Sequence, residues 1–346
     1  MLNNVEVAGS QRLSGKFENL QIVRLVAFLG IMLYHMGTLN SHIESLQAGV
    51  NLFFCLSGFF AMYSTRTNAN GYLCKRLIRI VPLYWLMTVL TYIAAQAGLL
   101  TTQGTVGTKE LVKSLFFVPY LRSSMKGTVE YARPIVGPAW TLYYEILFAL
   151  IFALAIKLSK ERRAQISIVT LLLFCLGGKI WPNSSVAIVT ILFDKKIRWL
   201  NFIAGILAYE LLERSYLSDR KYSKGAKCAG GILITILFLL LFALHQNQPI
   251  DALLSFGIVF TSVFVFKNTP MPRLLVHLGD ISFSSYLVHY YYIAIVGKVV
   301  DWTRFNFRTL IGFFVVTLMT FVTAHFSYEI IEKKFGNYLR DILIRK

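Results

Sequence analysis

An all-α, polytopic integral membrane helix bundle of about ten transmembrane helices is the fold this sequence predicts, and three observations predict it. Of 346 residues, 56% are apolar, and the mean hydropathy of +0.59 lies far outside the soluble range. Apolar runs near 20 residues recur along the chain, each able to cross about 30 Å of hydrocarbon as a helix. The 35 Lys and Arg residues gather between alternate runs, as basic loops do on one face of a bilayer.

Residues 1–19 are polar and predict a cytoplasmic tail before a signal-anchor helix. The predicted spans are 20–39, 48–64, 77–97, 139–158, 164–180, 198–213, 226–245, 250–267, 278–299 and 307–330. An even number of crossings puts both termini on one side. The Lys and Arg excess on that side, roughly two to one, makes it the cytoplasmic face of an inner membrane. Residues 340–346 then form a second cytoplasmic tail. Lys195, Lys196 and Arg198 fall on the outer side against the trend, which leaves open another crossing near Val186 to Phe193. The outer segment from Gly98 to Ala139 is long for a structureless loop. Its apolar run SLFFVPYL, Ser114 to Leu121, is too short to span and reads as a re-entrant or interfacial piece. No internal repeat of the kind many transporters carry is visible.

The formal charge of +18 does not predict a nucleic-acid partner, because no soluble basic face is available to carry one. Anionic membrane lipids explain it better. Cys55, Cys74, Cys175 and Cys228 lack metal-ligand spacing, so neither a disulfide framework nor a metal site is expected.

Function is predicted by polar groups inside apolar runs. The first run, LQIVRLVAFLGIMLYHMG, carries Arg24 and His35 eleven residues apart, roughly 20° from alignment and about 16 Å along one helix. Burying Arg in hydrocarbon costs on the order of 3 kcal/mol, so such residues point at a cavity or a partner. The bland alternative has Arg24 snorkelling to headgroups and His35 as a satisfied interhelical hydrogen bonder. His35 is placed about 6 Å, and Glu145 about 9 Å, from the outer ends of their helices. His289, about 16 Å above the inner start of its span, matches the height of His35. Ser282, Ser285, Tyr286 and His289 form one stripe.

On the cytoplasmic side Arg76 and Arg79 share a helix face, and their forked guanidinium groups suit phosphate oxygens. Positive-inside anchoring is the competing reading. The separation fits a long anionic donor whose phosphorylated head rests on Arg76, Arg79 and Arg24 while its reactive end reaches His35. Histidine is the natural base near neutral pH. Glu145 is expected to orient the imidazole, as the third member of a triad does, or else to form a structural salt bridge. Trp140, Tyr143 and Tyr286 are candidate sugar-stacking residues, or interface anchors. His289 and Ser57 complete the expected substrate-binding set.

Several motifs then coincide: Arg24 with His35, GVNLFFCLSGF from Gly49 to Phe59, Arg76-x-x-Arg79 followed by Pro82 and Tyr84, Trp140-Thr-Leu-x-x-Glu145, and a later segment holding Tyr286 and His289. From residue 20 to 339 the chain resembles the membrane acyltransferase 3 family, within it the exopolysaccharide-type O-acetyltransferases. The resemblance implies transfer of an acetyl group from cytoplasmic acetyl-CoA, as co-substrate, to a sugar hydroxyl of a surface polysaccharide or its lipid-linked precursor. It assigns the family histidine to His35, its arginine partner to Arg24, and its donor-binding arginines to Arg76 and Arg79. Three positions depart from the pattern: Asn51 where Asp is frequent, Phe283 for Tyr, and Lys334 for Pro. No esterase-like domain follows, so direct attack of the acceptor on the thioester is expected. The rival class is a transporter or flippase, which would move solute without releasing CoA; a non-catalytic membrane scaffold explains the polar placement least.

Overall fold

The computed structural model describes residues 17–37, 41–99, 106–123, 129–132, 134–180, 186–214, 222–244, 248–300 and 307–344. Most of the expected N-terminal tail lies outside them. The helices are α1 (Glu18–Met36), α2 (Gly49–Ser64), α3 (Tyr72–Gln96), α4 (Thr108–Leu115), α5 (Trp140–Leu158), α6 (Arg163–Ile180) and α7 (Ala187–Leu192). They continue with α8 (Trp199–Arg214), α9 (Lys224–Ala243), α10 (Gln248–Phe266), α11 (Arg273–Asp280), α12 (Ser282–Val296), α13 (Phe307–Ser327) and α14 (Gly336–Leu343). A short antiparallel hairpin of β1 (Tyr120–Ser123) and β2 (Val129–Ala132) pairs Leu121 with Tyr131.

Each of the ten predicted spans coincides with helix, and among the described residues eight helical segments are long and apolar enough to cross a membrane. The shorter two are α8, of 16 residues, and α12, of 15. The ninth span, 278–299, is split at Ile281 into α11 and α12. The tenth continues past 330 through a π-helical stretch, Tyr328–Phe335, into α14, which runs across the expected boundary at 339. No further crossing forms near Val186, because α7 is only 6 residues long, about 9 Å of helix.

SLFFVPYL divides between two elements. It ends α4 and enters β1, with Phe117 at φ 54 between them. The Tyr84 hydroxyl donates to the Ser114 carbonyl (2.9 Å) and the Trp85 indole to that of Leu115 (2.7 Å), which pins this cap onto α3. The basic cluster that opposed the topology is also explained in part. Arg198 donates to both oxygens of Asp194 (3.0 Å each) and to the Tyr144 hydroxyl (3.2 Å), and its guanidinium lies over the Trp140 ring. A cation paired within the protein carries little topological signal.

The core lies where α2 crosses α8, and the approach there depends on glycine. A Cβ on Gly205 would collide with the Cys55 carbonyl oxygen, and one on Gly58 with that of Phe202. Small residues let backbones meet where no hydrophobic driving force separates helix from lipid. Phe54 and Phe148 stack on Phe202 beside this contact (4.7 and 4.5 Å). At the rim α9 buries only Gly230, Phe238 and Leu241, and turns residues such as Leu239, 64% exposed, outward. The inner helices therefore carry polar side chains against one another while the outer ones present apolar surface.

Candidate active site

His35 and His289 meet. The His35 Nδ1 lies 2.9 Å from His289 Nε2. His35 stands one residue before the end of α1, which Gly37 closes in the left-handed conformation (φ 61). That is closer to the helix end than expected. His289 is fully buried, with Phe28 edge-on to it at 5.7 Å. Its Nδ1 has no hydrogen-bond partner among the described residues. Which ring donates depends on the tautomer: where His289 carries its proton on Nδ1, its Nε2 accepts and the Nδ1–H of His35 donates. His35 Nε2 then keeps its lone pair, the state a base needs.

Glu145, the group expected to orient His35, is held by other partners. Ser57 Oγ donates to its two oxygens (2.7 and 2.9 Å) and Arg76 Nη2 to Oε2 (2.9 Å). The three come from α2, α5 and α3, and both members of the ion pair are mostly buried. His289 is the ring bonded to His35.

Ser57, Glu145 and Arg76 line one cavity. This cavity, of about 100 Å³, is lined by Arg24, Arg76 and Arg79, by Ser57 and Glu145, and by Thr141, Ser282 and Tyr286. Arg24 and Arg79 also border a larger cavity of about 700 Å³ with Lys75, Asp280, Glu332, Lys333 and Arg340. At the other end the Tyr286 hydroxyl donates to the Pro138 carbonyl (2.5 Å) and lies 3.2 Å from Thr141 Oγ1. The Tyr286 ring adjoins His289 (5.8 Å), so the imidazole pair stands one ring beyond the cavity.

Other expected site residues sit elsewhere. Tyr143 faces a separate apolar groove with Trp85, Phe116 and Ile188, and Trp140 is occupied by Arg198. Among the described residues no group of three metal-binding side chains occurs. Two polar clusters escaped sequence reasoning. Asn51 donates to Asp251 (2.9 Å), a buried carboxylate, so the place where an acid was missed has one in contact with it. Glu332 accepts from Ser284 (2.6 Å) at the wide cavity. Each is a polar residue at the edge of an apolar run, a signal available but weak.

A bonded imidazole pair, a carboxylate-bound arginine and a basic cavity are thus gathered inside an apolar helix bundle. Residues 17–328 match the acyltransferase domain family, and the chain belongs to that family. It is a membrane acyltransferase. It is also 28% identical over 274 residues to the exopolysaccharide production protein ExoZ of Rhizobium meliloti (strain 1021), covering 77% of this chain and 83% of that one. No solved structure matches.

Proposed function

We propose that the protein moves an acetyl group from cytoplasmic acetyl-CoA to a sugar hydroxyl of a cell-surface polysaccharide or its lipid-linked precursor. It does so in the inner membrane with both termini in the cytoplasm. The observation that carries this reading is the bonded imidazole pair one ring beyond a cavity lined by three arginines. The nucleotide head binds at the mouth on Arg24 and Arg79, and the thioester points toward Tyr286. His35 Nε2 removes the proton of the acceptor hydroxyl as its oxygen attacks the acyl carbonyl. The imidazolium so formed is stabilised by its Nδ1–H bond to neutral His289. Sulfur leaves with the electron pair of the broken C–S bond, and the product is an oxygen ester and CoA. The kinship with an exopolysaccharide production protein supports a polysaccharide acceptor.

The test is purified protein given acetyl-CoA and a lipid-linked oligosaccharide. CoA release in step with acetylation of the sugar is expected. Solute movement across proteoliposomes without CoA release overturns the proposal.

A further inference from the structure

The apolar run SLFFVPYL has no task in the chemistry above. Its Phe116 and Phe117 border a groove of about 300 Å³ whose other walls include Val81 of α3, Ile146 and Leu150 of α5, and Ile188 of α7. Every side chain on the groove is apolar or aromatic, and along α3 it runs from Leu77 to Trp85, about 12 Å of helix. Trp85, Phe116, Leu150 and Ile188 are exposed, so the groove opens to the hydrocarbon around the bundle. Such a slot suits a hydrocarbon tail and offers nothing to a sugar or a phosphate. Charge stands at its rim instead. Lys109 and Lys113 lie four residues apart on α4, and Phe116 follows Lys113 by one turn. Lys113 Nζ is 5.2 Å from the Tyr120 ring centre, and neither lysine has a carboxylate partner among the described residues.

We propose that this groove seats the hydrocarbon tail of the acceptor, a lipid-linked saccharide whose phosphate rests on Lys109 and Lys113. The inference rests on the acyltransfer reading and adds to it which form of acceptor is used and where its lipid lies. An apolar slot with a basic rim fits any phosphate-headed lipid; position is what selects this one. The groove and the arginine-lined cavity are the two faces of one seam between α3 and α5. On α3, Arg76 and Ile80 face the cavity while Leu77 and Val81 face the groove. On α5, Thr141 and Glu145 face the cavity while Tyr143 and Ile146 face the groove. The chain entering α5 also ties the rim to the imidazole pair. The Ile135 N–H donates to Ser114 Oγ on α4 (3.2 Å), and the Pro138 carbonyl accepts from Tyr286 (2.5 Å), whose ring adjoins His289. Three residues span at most about 11 Å, a distance that a short saccharide head covers. A tail held in the groove therefore keeps its sugar beside the base, and ordering of the head by a fixed tail lowers the cost of binding it.

The test compares a lipid-linked oligosaccharide with the same oligosaccharide cut from its lipid, each given to the purified full chain with acetyl-CoA. Wild type should show a KM at least tenfold lower for the lipid-linked form. Ile188→Trp and Leu150→Trp, which fill the groove from its open side, should each raise that KM about tenfold, the scale of displacing two buried methylene groups. The KM for acetyl-CoA should not move. Lys113→Ala should raise the lipid-linked KM severalfold, by an amount that shrinks with added salt. A long-chain polyprenyl phosphate should compete with the lipid-linked acceptor in wild type, which keeps the proposal testable if the tryptophan variants fold poorly. Equal KM for the two acceptors in wild type would overturn the proposal. So would competition by ordinary phospholipid as strong as that by polyprenyl phosphate, which would make the groove a seat for bulk membrane lipid. Wild type releasing CoA with neither acceptor would instead refute the acyltransfer reading itself.

Discussion

Two regions of the bundle solve the problem of polarity in a membrane differently. Around the cavity of about 700 Å³, charge is carried openly by Arg79, Lys75, Lys333 and Arg340. Beyond Tyr286, polarity is carried by two imidazoles bonded to each other at 2.9 Å, one of them wholly buried. A fixed cation needs hydration or a counter-ion, while a histidine can hold a proton only during the reaction. On the function proposed above, the difference puts recognition of an anion where solvent reaches and proton transfer where it does not.

The comparison can be broken hardest at the imidazole pair. His35→Ala should lower kcat about 10³-fold, within the range of a lost general base, while CoA still raises the thermal midpoint. Retained turnover would remove the imidazole pair from catalysis. Between the two regions, Glu145→Leu should lower stability by about 3 kcal/mol, because it leaves Arg76 buried without its counter-ion. Adding Arg76→Met should restore most of that loss in the same denaturation measurement. His289→Phe keeps the ring volume and deletes the bond to His35, so kcat should fall roughly tenfold to a hundredfold with donor KM steady. Equal loss in kcat and acceptor KM would instead make His289 a substrate contact. Mildest is Arg79→Ala at the mouth, which should raise the KM for acetyl-CoA several-fold, by an amount that shrinks with added salt as an exposed charge requires.

Much of this was legible in the sequence because membranes impose one-dimensional rules. Apolar length set the spans, and the equal heights assigned to His35 and His289 anticipated their contact. Depth counting worked less well for Glu145, since helix ends do not share one level. Arg76, near the start of α3, reaches a carboxylate near the start of α5. Rotation about each helix axis was equally invisible. It turned Tyr143 toward a separate groove and left Glu145, two residues on, facing the arginine-lined cavity.

Sequence by itself determined that the chain lies in a membrane as helices, which runs span, and which helices carry an ionisable group, because hydrocarbon penalises every polar residue at a cost that composition reveals. The tertiary structure alone decided who bonds to whom. Pairing depends on stagger, rotation and glycine contacts such as Gly205 against Cys55, and these are set by neighbours far apart in the chain rather than by any local pattern.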